Sequence, residues 1–443
     1  MFEPNEAVVA AGADGWQALH HQLLRRAVSH FFPGATLTIS GPASARLQRA
    51  PAAARQVQFA CAGSQCECRR DHPFSRSERR LLHTLASVIS RRVFEFLHPS
   101  GGEWAAPVDG GLPEDRFVAE FLVSGVFPGA TAATAGPLRD AIEVLRLVSV
   151  TSYENRKVTT GVLLDFDGRA GRAHEIVPRD SPPVRFDPSL ATIKSLPRWC
   201  DGLRTVGLVD PSGYLSAVAD IREEAAGAGP LVHPSADRYE PHARATLDGH
   251  RIGLTLTPNG EIKIFAGGVQ AFTYVDGRWR LTDLAEKYAA LERLIDGRLA
   301  RRLFTAALNL AEHRHGALFV VLPAGAEADI ISATDQLSVD GASRASGAPS
   351  KQDLHYLLAG ANVLTLPTAI VESVAGIDGA VVVRPTGELI AVGAILKGIG
   401  GITGIEGART TAAIHASHLG TVIKVSEDGA VSLFKDGVPV WHL

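Results

Sequence analysis

Apolar residues recur at helical spacing in two stretches near the start of the chain. The first stretch, 16–32, predicts a helix. The second begins at Ser75, which has Glu78 three residues later, and this spacing is typical of a capping box. Short apolar runs at 35–40 and 57–61 predict strands. Together these elements predict an α/β module at the N-terminus.

Alternating apolar and polar residues with turn signals replace the helical pattern in the middle of the chain. Residues 98–113 are rich in Gly, Pro and small side chains, which is typical of a linker. Further on, 252–265 and 269–281 each contain two strand-like runs separated by a glycine turn, so both predict hairpins. We therefore predict a mostly β middle module.

The last part of the chain alternates helical and strand patterns. A helix over 299–313 leads into a continuous apolar run, 316–322, that predicts a buried strand. Strands are also predicted around 379–396 and 421–434, with a helix over 407–419 between them. This order predicts a mixed central sheet flanked by helices. The whole chain is thus predicted to be an α/β (α+β) multidomain protein, with modules at 1–98, 113–282 and 300–443.

Composition and charge narrow the class of protein. The chain has 443 residues, of which 46% are hydrophobic and 21% charged, and this balance is typical of globular proteins. Its length favours two to four domains. A net charge of -3 gives no overall basic field, so nucleic acid is not indicated as a partner. No apolar run is long enough to span a bilayer and no signal-peptide pattern is present, so we expect a cytoplasmic protein.

Candidate chemistry lies in the C-terminal module. Asp378-Gly379-Ala380 forms an acidic turn between two strand-like runs, and Arg409 follows at a predicted helix start. A carboxylate can hold a divalent metal, and glycine lets a phosphate approach the backbone. Taken singly, each motif has a plainer interpretation. Asp378-Gly379 is also a common β-turn, and Arg409 can lie on a solvated helix end.

Several motifs of this module occur together in one order. They read HRHGALFVVL, GIDGAVVVRPTGELIAVGAIL, GARTTAAIHAS and TVIKVSEDGAVSLFKDG. In this order the module resembles the bacterial diadenylate cyclase domain, which is also found in the DNA-integrity scanning protein. In that family two domains face each other, each holding one ATP, and join the nucleotides into cyclic di-AMP with release of pyrophosphate.

The resemblance implies a role for individual residues. Asp378 would hold Mg²⁺ or Mn²⁺ and help to deprotonate the attacking 3′-hydroxyl. Gly379, Ala380 and Leu396 would line the nucleotide. Arg409 matches the first position of the family's Arg-His-Arg motif, which binds the triphosphate. The turn Ser426-Glu427 would lie beside the phosphates. The resemblance also implies ATP or a related nucleotide as ligand and a homodimer or higher homo-oligomer as the assembly.

The sequence departs from the family at the second and third positions of the Arg-His-Arg motif, which are Thr410 and Thr411. Hydrogen bonds to charged groups are worth roughly 1.5–3 kcal/mol each, so the loss of an imidazole and a guanidinium weakens triphosphate binding unless Lys397 or Lys424 supplies charge. Two functions follow: a diadenylate cyclase, or a catalytically degenerate nucleotide-binding or regulatory protein.

The N-terminal module carries a weaker set of signals. Its second helix, PFSRSERRLLHTLASVISRRV, resembles the end of GAF-type small-molecule sensor domains. Cys61, Cys66, Cys68 and His72 lie close together in sequence. They lack the paired spacing of a zinc knuckle, so a loop with reactive or incidental thiols is favoured over a metal site.

Overall fold

The computed structural model describes residues 12–42, 54–97, 113–127, 134–153, 156–167, 183–193, 199–337, 355–398 and 407–443. The chain divides into two compact units. The first comprises Met1–Pro230 and Pro241–Asp283, and the second comprises Leu231–Glu240 and Leu284–Leu443. The predicted linker 98–113 lies outside the described residues except for Pro113. The division of the first 282 residues into two modules therefore stays a prediction.

Helices of the first unit follow the predicted apolar stripes. They are α1 (Gly12–Phe31), α2 (Arg76–Leu97), α3 (Pro113–Val126), α4 (Gly136–Ser149) and α5 (Ile221–Ala225), and α6 (Glu240–Ala245) begins at the unit boundary. The predicted capping box is confirmed. The Glu78 amide donates to the Ser75 hydroxyl at 3.0 Å, and the Ser75 amide donates to the Glu78 carboxylate at 2.8 Å. Two helix-end amides that lack helical partners are satisfied in this way.

Strands of the first unit form two main sheets. The smaller has the order β1-β3-β2, from β1 (Thr36–Pro42), β2 (Gln56–Cys61) and β3 (Ser64–Arg69). The larger has the order β13-β12-β11-β10-β6-β8-β9-β7. Its strands are β6 (Thr160–Asp165), β7 (Val184–Arg185), β8 (Thr205–Val209), β9 (Tyr214–Asp220), β10 (Arg251–Leu256), β11 (Ile262–Ala266), β12 (Val269–Val275) and β13 (Arg278–Leu281). The short strands β4 (Ser152–Tyr153) and β5 (Arg156–Lys157) pair separately.

Both predicted hairpins are confirmed. β10 pairs with β11 and β12 pairs with β13, each antiparallel. The second turn contains Asp276 and Gly277 with φ of 51° and 76°. Two successive left-handed residues give the turn that matches the twist of paired strands, which explains the Asp-Gly pair.

The second unit is a mixed sheet with helices. Its helices are α7 (Leu284–Glu292), α8 (Gly297–Glu312), α9 (Glu327–Ile330), α10 (Thr368–Ala375) and α11 (Ala408–Ser417). Its strands are β14 (Ala317–Val321), β15 (Ala380–Val383), β16 (Leu389–Ala394), β17 (Thr421–Val425), β18 (Val431–Lys435) and β19 (Val438–His442). The sheet order is β16-β15-β14-β17-β18-β19, and only β14 and β15 are parallel among these pairs.

The predicted fold class is confirmed, since both units combine helices with sheets. The predicted buried strand is confirmed as β14, which is fully buried and has a strand on either side. Within the described part of the chain, no helix has the length and apolar character needed to cross a bilayer.

Candidate functional site

The ends of three neighbouring strands meet at one edge of the second unit's sheet. Ala317 opens β14 and lies opposite Val425, the last residue of β17. β15 runs parallel to β14, with Phe319 level with Val381. Residues just before β14 and β15 and just after β17 therefore share this edge. Neighbouring strands lie about 4.8 Å apart, so side chains two strands apart are roughly 10 Å apart at the backbone.

The Asp378-Gly379-Ala380 turn lies at this edge, directly before β15. Gly379 has φ +112°, and a Cβ there would lie 2.4 Å from the carbonyl carbon of Gly393. Gly393 itself has φ +60° and packs against Ile377. Glycine is thus required on both strands, because only glycine adopts this backbone without strain and allows so close an approach. Ala380 is buried, whereas Asp378 is exposed.

Arg409 lies in the first turn of α11 and reaches the same edge. Its Nη1 donates to Glu427 Oε1 at 2.9 Å. The guanidinium also lies against Gly316, where a Cβ would come within 2.2 Å of Nη1. The side chains of Arg409 and Glu427 are 36% and 73% exposed. An ion pair this exposed contributes little stability, so the guanidinium can exchange Glu427 for an anionic ligand at small cost.

Lys424 supplies a cation beside the altered motif. Its Nζ donates to the Thr410 hydroxyl at 2.8 Å. A positive charge is thus placed next to the residue that stands where the resembled family has histidine. Thr411 is half-buried in the first turn of α11. Lys397 is exposed beyond β16, where its amide donates to Ile330. Of Lys397 and Lys424, the two candidate lysines from the sequence, Lys424 is the one that contacts the Arg409-Thr410-Thr411 motif.

A cleft of about 1010 Å³ opens at this edge within the second unit. Its lining comprises Leu310, His313, Arg314, His315, Gly316, Ala369, Glu372, Ser373, Gly376, Ile377, Arg409 and Glu427. Two predicted site residues, Arg409 and Glu427, are therefore in its wall, and the residues immediately before Asp378 belong to the same wall. A cleft of this size is in the range of small-molecule and cofactor sites.

The other predicted site residues are not in the lining of this cleft, and they are Asp378, Gly379, Ala380, Leu396, Thr410, Thr411 and Ser426. Ser426 directly follows β17, beside Glu427, and its amide and carbonyl close the turn to Ala430 and Gly429. Leu396 follows β16 and packs against the hydrophobic core of this unit. Neither of these two side chains is in the cleft lining given above.

Two charged residues of the lining had no role assigned from the sequence, and they are Arg314, which lies in the HRHGALFVVL motif, and Glu372. Arg314 has φ +57° after α8, and its Nη1 would be 3.1 Å from a Cβ at Gly429. Glu372 is on α10, where it receives a hydrogen bond from Asn309. The spacing of Ala369, Glu372, Ser373 and Gly376 is one helical stripe, and this signal was available in the sequence.

The donor set suits a metal that arrives with phosphates. Among the described residues, no group of three or more His, Cys, Asp or Glu side chains is arranged to hold a metal ion. Mg²⁺ is usually bound by one or two carboxylates together with substrate phosphates and water, rather than by a cage of protein ligands. The exposed carboxylate of Asp378 fits such a site.

The cysteine cluster is placed differently from the prediction. The expected loop is only the turn Ala62-Gly63, because Cys61 ends β2 and both Cys66 and Cys68 are on β3. All three thiols are buried and free. Burial raises the pKa of Cys66 to about 12 and that of Cys68 to about 11. Since the thiolate is the reactive form, this burial favours incidental thiols over reactive ones, the two alternatives that the sequence left open. His72 is in an exposed segment before α2.

Comparisons with known proteins find no matching family model, and they find structural likenesses at low TM-scores. No protein-family model matches the chain, and no curated protein matches it. A hypothetical membrane spanning protein from Bacillus cereus is 24% identical, covering 35% of this chain and 69% of its own, at a TM-score of 0.26. A double mutant of DacA from Staphylococcus aureus is 22% identical, covering 31% of this chain and 82% of its own, at a TM-score of 0.19. At these scores neither likeness supports an argument about activity.

Proposed function

We propose that the second unit is a diadenylate cyclase, which condenses two ATP molecules into cyclic di-AMP with release of pyrophosphate. The observation that carries this proposal is the shared sheet edge. Arg409 and Glu427 line one cleft together with Gly376 and Ile377, which lead directly into Asp378. The ordered motifs of the sequence and this arrangement support the same nucleotide site.

Different side chains have different roles in the proposed reaction. Arg409 and Arg314 neutralise the triphosphate, and Lys424 adds charge through its contact with Thr410. Asp378 holds Mg²⁺ or Mn²⁺ and orients the attacking hydroxyl. The bound metal would supply charge neutralisation at the reacting phosphate. Phosphoryl transfer depends mainly on such positioning and charge neutralisation.

The assembly is part of the proposal. Each domain holds one ATP, and the two nucleotides react across facing sites, so the active form is a homodimer or a higher homo-oligomer. The first unit then acts as a sensor that changes how two second units meet. This arrangement would make cyclic di-AMP production responsive to a signal.

The decisive experiment supplies the purified full chain with ATP and either Mg²⁺ or Mn²⁺. We expect cyclic di-AMP and pyrophosphate by mass spectrometry, and Asp378→Asn should abolish both. Asp436→Asn is a matched control, because it makes the same change at an exposed turn residue with φ of 52°, which asparagine also adopts.

A second candidate follows from Thr410 and Thr411, which remove two donors of the family motif. In that case the cleft binds a nucleotide without turnover, and the chain is a degenerate regulatory protein. Calorimetry separates the two candidates. ATP binding without product supports the second, whereas the absence of both binding and product contradicts both.

A further inference from the structure

One wall of the cleft is a single helical face. Ala369, Glu372, Ser373 and Gly376 are spaced as i, i+3, i+4 and i+7 along α10 and its C-terminal end, and all four line the cleft. Glu372 carries the ionisable group of this face. A carboxylate in a proposed nucleotide cleft needs a physical reason, because it repels phosphate.

Glu372 is held in place by a buried amide. Asn309 on α8 donates from Nδ2 to Glu372 Oε1 at 2.5 Å. Asn309 is 6% exposed and lies among buried apolar residues of α8. A buried amide with defined partners fixes the direction of its acceptor, because an unsatisfied polar group there is costly.

Asn309 also holds a segment of the second unit that lies, in sequence, between two stretches of the first unit. Its Nδ2 donates to Asp237 Oδ2 at 2.9 Å, and its Oδ1 accepts from the Asp237 amide at 2.8 Å. Asp237 belongs to Leu231–Glu240, which is part of the second unit although the chain on both sides belongs to the first. Arg301 of α8 donates to the Val232 carbonyl of the same segment at 2.5 Å. Asp237 is therefore connected to a cleft residue through one side chain.

Arg302, which follows Arg301 on α8, anchors the start of α10. Arg302 donates to the Val363 carbonyl at 2.9 Å and to the Thr368 hydroxyl at 2.5 Å. It also donates to the Leu366 carbonyl. The entry to α10 is thus fixed by Arg302 and the middle of α10 by Asn309. Contacts from α8 therefore determine the position of Glu372.

The cleft has charged side chains of both signs. Arg314 and Arg409 are the arginines of its lining and attract phosphate, and Glu427 is paired with Arg409, whereas Glu372 is on the α10 face. An ionised carboxylate accepts hydrogen bonds and cannot donate them. A ligand group that contacts Glu372 must therefore donate, and in a nucleotide the donors are the sugar hydroxyls and the amino group of the base.

We propose that Glu372 accepts a hydrogen bond from a sugar hydroxyl or the base amino group of the bound nucleotide, with Asn309 as its positioning residue and Asp237 as the anchor of Asn309. This inference rests on the proposed function, since it requires a nucleotide in the same cleft. It adds a specificity residue and makes nucleotide affinity sensitive to the segment Leu231–Glu240.

The test compares two probes, ATP and inorganic tripolyphosphate, by calorimetry on the full chain. Glu372→Gln should weaken ATP binding about tenfold to a hundredfold, the range for a charge-assisted hydrogen bond. The same variant should bind tripolyphosphate as tightly as the parent or more tightly, because a negative charge has been removed. A merely structural role would weaken both ligands together.

Analogues identify the donor. If a sugar hydroxyl is the partner, 2′-deoxy-ATP or 3′-deoxy-ATP should bind the parent more weakly than ATP does, and Glu372→Gln should not distinguish them. If the base amino group is the partner, inosine triphosphate should show that pattern instead. Equal discrimination by the parent and Glu372→Gln for every analogue would overturn the proposal.

The positioning role has its own variants. Asn309→Leu and Asp237→Ala should weaken ATP binding about threefold to tenfold while leaving tripolyphosphate binding unchanged. Arg298→Ala, an exposed change on the same helix, should alter neither. A thermal melt reports separately on folding. If the parent binds ATP but Glu372→Gln binds it equally well, the inference fails alone, and if the parent binds neither probe, the proposed function fails with it.

Discussion

The three-stranded sheet of the first unit and the six-stranded sheet of the second both carry chemistry-bearing residues, and they present them in opposite ways. Cys61, Cys66 and Cys68 point into the core, where each is buried. Glu427 lies beyond the end of β17, and the Arg409 side chain reaches it from α11, so both remain partly exposed at the strand ends. Position along the strand explains the difference. Residues within a strand face the core or solvent by alternation, whereas residues at strand ends project from the sheet edge.

The comparison shows that close spacing in the sequence does not by itself identify a functional site. The cysteines are near neighbours, yet burial keeps them protonated. Asp378 and Glu427 are far apart in sequence, yet the sheet brings their backbones to one edge, and the Arg409 side chain reaches Glu427 there from α11. Accessibility, rather than clustering, separates a functional arrangement from a packed one.

A thiol-reactivity measurement is the strongest test of whether the cysteines of the three-stranded sheet are inaccessible in the native state. Native cysteines should react with an aromatic disulfide reagent at pH 8 about a thousandfold more slowly than in denaturant, because reaction requires local opening and a thiolate. Ala60→Cys provides the matched control, since Ala60 is exposed on β2, the strand that also contains Cys61. Rapid reaction of the unmodified chain in its native state would show that the cluster is accessible.

A substitution at the acidic turn should have the next largest effect. Gly379→Ala should destabilise the second unit by about 3 kcal/mol, from a left-handed backbone and a clash with the Gly393 backbone. Gly398→Ala is the control, because a Cβ there meets nothing within 4 Å. Denaturant titration monitors both. Equal stability of the two variants would mean that the close packing of β15 on β16 is absent.

Nucleotide binding should depend more on Arg409, which lines the cleft, than on Lys424, which contacts Thr410 and is not in the lining. Arg409→Ala should weaken ATP binding about tenfold to a hundredfold, and Lys424→Met should have a smaller effect because Lys424 acts beside Thr410. Calorimetry at low and high salt measures both losses. The reverse order would transfer the main phosphate contact from Arg409 to Lys424.

The smallest effect concerns the pH dependence of the buried thiols. The pKa of Cys66 is about 12 when folded, against 9.0 for an ordinary thiol. The unfolded chain therefore releases this proton above pH 9 while the folded chain retains it, so stability falls as pH rises from 9 towards 12. Relative to Cys66→Ala, the parent should lose about 1.4 kcal/mol per pH unit in this range. Denaturant midpoints at pH 8 and pH 10 measure this difference, and parallel curves would contradict burial of the thiol.

The sequence by itself determined the local elements. The capping box at Ser75 and the hairpin at Asp276-Gly277 formed as predicted, because hydrogen-bonding side chains and left-handed turn residues act within a few positions of the chain. It also predicted that β14 is a buried strand, since a continuous apolar run has few alternatives to burial.

Only the tertiary structure decided which distant residues meet. The contacts of Arg409 with Gly316, of Lys424 with Thr410, and of Asn309 with both Glu372 and Asp237 depend on sheet register and helix packing. Single-sequence patterns do not encode these, because register and packing arise from interactions between elements far apart in the chain. For the same reason the spacing of the cysteines can be read from the chain, whereas their burial depends on the fold.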